Sequence, residues 1–163
     1  MDKKSIYIET SIVSYLTARP SSDLLAAALQ KATLDWWDTQ RSRFDLYTSE
    51  VVMEEAERGN SEAAARRLEA LAGIPILAIT DAVSVLSKAL LRQRALPATA
   101  LDDSLHIAIS AVDGADYLLT WNCRHLDNAE TKPIIRSVCV VNGHACPEIC
   151  TPQELMGVPE DGG

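Results

Sequence analysis

Apolar and polar positions divide the chain into short β-rich runs and longer helical ones. Ser5-Ile-Tyr-Ile8 reads as a buried strand, with Thr10 or Ser11 placed to cap the next element. From Asp23 to Thr39, Leu24, Leu25, Ala28, Leu29, Ala32, Leu34 and Trp36 recur at largely helical spacing. Phe44 to Thr48 predicts a second strand, and Ser49 caps a helix running to about Arg58. Gly59-Asn60-Ser61 stops that helix and caps the next, Glu62 to Leu71. Ile74 to Ile79 predicts a third strand, and Thr80 or Asp81 caps a helix to about Arg94. Beyond the Leu96–Thr99 loop, Leu101 to Val112 predicts a helix striped by Leu105, Ala108, Ile109 and Val112. Asp116 to Thr120 predicts a fourth strand and Ile134 to Val141, rich in β-branched residues, a fifth.

Strands alternating with helices make βαβ units, so the expected fold is a three-layer α/β/α sandwich around a mainly parallel sheet. The continuously apolar strands agree with burial on both faces. The length of 163 residues predicts one domain over residues 1–158. Residues 159–163, Pro-Glu-Asp-Gly-Gly, read as a flexible tail. In such folds sites gather at the carboxyl ends of the strands, which makes the residues just beyond each strand the ones to inspect.

Composition narrows the picture. Apolar residues make up 47% of the chain, enough to argue against disorder. The apolar runs fall well short of the ~18 residues a membrane span needs. The N-terminus MDKKSIYIETSIV reaches Glu9 too soon for a signal-peptide core, so a cytoplasmic protein is expected. The 23 carboxylates outnumber the 15 lysines and arginines, giving a net charge of −8 and excluding generic electrostatic capture of nucleic acid. That balance does not exclude an enzyme whose carboxylates hold a cation, because the ion inverts the local sign. Cys139, Cys146 and Cys150, with His144, suggest zinc until the spacing is read. It contains neither Cys-x2-Cys nor a histidine pair, and reduced thiols are expected.

Several of those carboxylates fall just beyond predicted strands. Glu9 follows the first strand, Glu54 and Glu55 lie one turn into the helix after the second, and Asp102 and Asp103 open a later helix. Asn122 comes two residues past the fourth strand. Acids at helix starts are favoured by capping and the macrodipole alone. Glu9 is harder to dismiss, since nothing about solvation calls for a charge between two apolar runs. Converging carboxylates repel unless a cation is supplied, and a hard divalent ion such as Mg2+ or Mn2+ suits oxygen ligands. Such an ion assists phosphodiester hydrolysis by activating water and neutralising phosphate charge.

Four segments then carry a resemblance: IYIETSIVSYL at 6–16, TSEVVMEEAERG at 48–59, ALDDSLHIAISAV at 100–112 and DYLLTWNCRHL at 116–126. In this order and spacing the chain resembles the PIN-domain family, close to the VapC-type toxin ribonucleases of toxin–antitoxin pairs. The resemblance implies a PIN-like sandwich and a Mg2+- or Mn2+-dependent ribonuclease acting on RNA, restrained by an antitoxin protein. It implies catalytic roles for Glu9, Glu55 and Asp103, and a metal held by Glu9, Asp103, Glu55 and Asn122. Thr10, Ser11, Ser49 and Thr120 take supporting positions. The helices over residues 23–39 and 50–71 fall where the family forms a dimer face and receives antitoxin, so a homodimer is expected.

Two positions depart from the family pattern. Glu9 replaces an aspartate and reaches one methylene further, and Asn122 offers a neutral carbonyl where an acid is usual. These departures motivate the alternative of a catalytically weakened PIN-fold module that binds RNA or protein. Arg124 and His125, just beyond Asn122, are candidate RNA contacts at the mouth of an acidic site. His106, three residues after Asp103 on the same helix face, reads as packing more readily than as a general base.

Overall fold

The computed structural model describes residues 2–158; the expected tail at 159–163 lies outside the described residues. Five strands form one sheet: β1 (Lys4–Ile8), β2 (Phe44–Ser49), β3 (Ile76–Leu77), β4 (Tyr117–Leu119) and β5 (Glu148–Cys150). Their order is β3-β2-β1-β4-β5 and every pairing is parallel. Seven helices connect them: α1 (Thr10–Thr17), α2 (Leu24–Thr39), α3 (Glu50–Ala56), α4 (Ser61–Leu71), α5 (Asp81–Arg92), α6 (Leu101–Asp113) and α7 (Lys132–Val141).

The strand order explains the layering. From β1 the chain steps outward to β2 and β3, then crosses to the other side of β1 for β4 and β5. Right-handed crossovers in opposite directions put their helices on opposite faces. Accordingly α1 packs with α2 and α4, while α5 packs with α6 and α7. The result is a three-layer α/β/α sandwich. Ile6, Tyr7 and Ile8 are all fully buried, as a central strand covered on both faces requires. The direction of winding reverses between β1 and β4, and that switch point opens a crevice at their carboxyl ends. Register sets the crevice walls, since Ile8 pairs with Leu119 and so brings Glu9 beside Thr120.

One expected strand is a helix. Ile134–Val141 lies within α7, where Ile135, Val138 and Cys139 are buried and Val140 and Val141 exposed. That 3–4 spacing is helical, Pro133 sits in the first turn, and Gly143 at φ +85° follows the end. Burial of one stripe against α5 overrides the β-branched composition. The fifth strand is instead the short Glu148–Cys150 run, which pairs with β4. The third strand contracts from the expected Ile74–Ile79 to Ile76–Leu77, a two-residue edge on β2. No described helix is long and apolar enough to cross a membrane.

Candidate active site

Glu9 leaves β1 in extended conformation and N-caps α1, its Oε2 accepting the Ser11 N–H at 3.1 Å. Thr10 or Ser11 was the expected cap, and the residue before them takes the role. Glu9 Oε1 accepts two hydroxyls at 2.5 Å, Ser11 Oγ and Thr120 Oγ1. Ser11 Oγ also accepts the Trp121 N–H at 2.8 Å, tying the ends of β1 and β4 together. The extra methylene of Glu9 therefore spans the switch point. Although only 5% exposed, its charge is held by three donors.

The sequence left Glu54 and Glu55 as rivals; the helix decides between them. Ser49 caps α3 by accepting the Val52 N–H, which sends Glu54 to solvent and Glu55 inward. Glu55 Oε1 accepts Thr10 Oγ1–H at 2.9 Å and lies 2.6 Å from His106 Nε2. His106 is fully buried, and its Nδ1 lies 2.7 Å from the Tyr7 hydroxyl, which in turn lies 2.7 Å from Ser49 Oγ. Burial alone would lower the His106 pKa, but the Glu55 hydrogen bond and the charges of Glu9, Glu55 and Asp103 raise it. Burial likewise pushes Glu55 up, and its bonds to His106 and Thr10 bring it below the ordinary carboxylate range. Tyr7 stays a phenol, driven well up by burial against the Ser49 hydrogen bond.

Ligand atoms of Glu9, Glu55 and His106 lie within 4.8 Å of one another, and no other such trio of His, Cys, Asp or Glu occurs among the described residues. Glu55 Oε2 accepts no hydrogen bond among the described residues, and Glu9 Oε2 accepts a single one. Carboxylate oxygens with lone pairs to spare, one side chain buried and the other part-buried, fit a hard divalent cation.

Asp103 stands beside this trio rather than within it. Its Oδ2 lies 2.8 Å from His125 Nδ1, and its Oδ1 accepts the Asn122 Nδ2–H at 3.3 Å. The Asn122 carbonyl, expected to face a cation, instead accepts the backbone N–H groups of Arg124 and His125. Arg124 is exposed, and Asp102 is taken up by an ion pair with Arg58 at 3.4 Å. The buried network behind the carboxylates adds Tyr7, which sequence reasoning passed over, and His106, which it read as packing. His106 gave a signal, being one turn from Asp103 on the same face. Tyr7 gave none beyond a hydroxyl in an otherwise apolar strand. Of the cysteines, none is in a disulfide, and burial pushes the Cys150 thiol up to about 12.

No protein-family model matches this chain, and no curated protein sequence does. Solved structures do match by shape. VapBC2 from Rickettsia felis, crystallised on a DNA fragment from its promoter, aligns over 90% of this chain and 98% of its own, with TM-score 0.59 and 15% identity. VapC20 from Mycobacterium tuberculosis, a toxin that cleaves the sarcin–ricin loop, aligns over 74% and 92%, with TM-score 0.56 and 17% identity. Coverage of nearly the whole of each toxin extends the likeness beyond a shared sheet. This chain has a VapC-like PIN fold.

Proposed function

We propose that the chain is a metal-dependent endoribonuclease that hydrolyses RNA phosphodiester bonds as the toxin of a toxin–antitoxin pair. The observation that carries this is the meeting of Glu9 and Glu55, 46 positions apart in sequence, at the switch point of a VapC-like fold with Asp103 alongside. Glu9 and Glu55 would hold Mg2+ or Mn2+, with Asp103 completing the acidic wall. The bound ion supplies an activated water and neutralises charge on the phosphate. Ser11, Thr120 and Thr10 fix the carboxylates, and Ser49 anchors Tyr7 and α3 behind them. Arg124 and His125 at the rim are placed to receive the RNA backbone, which the net charge of −8 would otherwise repel.

An antitoxin protein and a second copy of the chain are the proposed partners. Leu24 and Leu25 at the start of α2 are 88% and 70% exposed, an apolar surface consistent with such contacts. The alternative, a weakened PIN-fold module that binds RNA or protein, is favoured by Asn122 alone, whose carbonyl is occupied by backbone N–H groups. Incubating the purified chain and Asp103→Asn with structured RNA, a sarcin–ricin-type hairpin included, separates the readings. Cleavage that needs Mg2+ or Mn2+, stops in EDTA and is lost in the variant is expected. Cleavage persisting in EDTA or in the variant sinks the metal-nuclease reading, and Mn2+ binding without cleavage favours the alternative.

A further inference from the structure

The chain Ser49–Tyr7–His106–Glu55 runs from the end of β2 to the site, and Ser49, Tyr7 and His106 are fully buried. Counting its protons orients every bond. Ser49 Oγ already accepts the Val52 N–H, so its own proton goes to Tyr7 Oη at 2.7 Å. The Tyr7 proton then goes to His106 Nδ1 at 2.7 Å, leaving Nε2–H to donate to Glu55 Oε1 at 2.6 Å. Each acceptor is satisfied and no proton is left over. The reverse orientation fails twice. It leaves the Ser49 proton without an acceptor, and it sets a bare Nε2 lone pair against a carboxylate oxygen at 2.6 Å. That full orientation is the singly protonated ring's; a doubly protonated ring reverses the Tyr7 and Ser49 bonds but still carries the Nε2 proton, so the donation to Glu55 is common to both protonation states.

We infer that His106 is a positioning residue and not a metal ligand: its Nε2–H, fixed by the Tyr7 hydroxyl, holds Glu55 so that Oε2 faces the crevice. This rests on the reading of Glu55 as a site carboxylate. Although His106 completes the trio with Glu9 and Glu55, the proton that makes the 2.6 Å contact occupies the lone pair a metal would need. The donor set that remains is oxygen alone, which suits Mg2+ as well as Mn2+.

Nitrogen-15 NMR of the full-length chain tests the assignment without reference to catalysis. The protein has three histidines, and His106→Gln identifies the relevant ring by its loss. Nε2 of His106 is expected to keep a bonded proton before and after saturation with Mg2+. Loss of that proton, or a shift to a metal-bound nitrogen, overturns the inference. Mn2+ calorimetry supplies the second readout. His106→Leu is expected to weaken binding roughly 10–100-fold, the usual worth of a group that orients a metal's ligand. His106→Gln presents an amide N–H in place of Nε2–H and is expected to stay within about threefold of the parent. Equal loss in both variants, or in neither, also overturns it. A parent chain that binds no Mn2+ sinks the metal reading above, while the Nε2 proton still decides whether His106 can be a ligand.

Discussion

Two groups of carboxylates stand at the same edge of the sheet and are built differently. Glu9 and Glu55 sit at the switch point, gripped by hydroxyls of α1 and the end of β4, the Ser11 backbone N–H and the His106 ring of α6. Asp103 is braced by Asn122 and His125 from the loop after β4; its side chain is 20% exposed, close to the 22% of Glu55, but its histidine brace is 30% exposed where that of Glu55 is fully buried. Glu9 and Glu55 are fixed by the fully buried Thr120 and His106 together with the half-buried Thr10 and Ser11. The fully buried braces, Thr120 and His106, therefore belong to the Glu9–Glu55 group, and the Asp103 group has braces that solvent reaches.

Substitutions can break this contrast, the largest first. Glu55→Gln keeps the shape and removes a charge, and RNA cleavage is expected to fall by more than about 100-fold, since groups that only orient a ligand are worth roughly 10–100-fold. A kinetic assay at saturating Mn2+ reads it. Thr120→Val removes one hydroxyl from buried Glu9, and an equilibrium urea melt should show a loss of about 1–3 kcal/mol. Asn122→Asp replaces the donor to Asp103 with a like charge. The metal-free protein should lose about 1 kcal/mol while Mn2+ binds more tightly, as paired melts with and without the ion would show. His125→Ala at the rim should change stability by less than about 0.5 kcal/mol. A rim variant costing as much as Thr120→Val would erase the distinction.

The Glu9–Glu55 group also sets a pH response for the metal-free chain. Glu55 is lowered from 4.5, so its contribution is present above that value and lost as pH falls through the folded pKa. His106 is raised from 6.5 by Glu55, Glu9 and Asp103 against burial, so its contribution is full below 6.5 and lost as pH rises through the folded pKa. Thermal melts should show the pair's contribution fully present between about 4.5 and 6.5, and Glu55→Gln should flatten both slopes.

Much of this was legible in the chain. The apolar triplet Ile6-Tyr7-Ile8 marked a central strand, and the carboxylate directly after it marked the crevice. Ser49 announced its helix, but which of Glu54 and Glu55 turns inward was settled only by the helix itself. What misled was composition. Ile134–Val141 has the residues of a strand with the spacing of a helix, and the stripe buried against α5 decided the matter. The true fifth strand has three residues, too few for a period to show. The Tyr7–His106 contact was illegible for another reason: its partners lie 99 positions apart, and only the sheet brings them together.

The clasp at the switch point has a consequence for how the protein is made. Ser11 donates to Glu9 but receives from Trp121, and Thr120 reaches Glu9 across 111 positions of sequence. Contacts of that separation form late, after most of the chain has been ordered. During synthesis an emerging polypeptide that ends before β4 has Glu9 and Glu55 but no Thr120 or Trp121 to secure the first of them. Thr120 and Trp121 thus leave the ribosome well after Glu9 and Glu55, and the clasp can close only then. Until β4 joins the sheet, the Glu9 carboxylate lacks the Thr120 hydroxyl that helps to fix it.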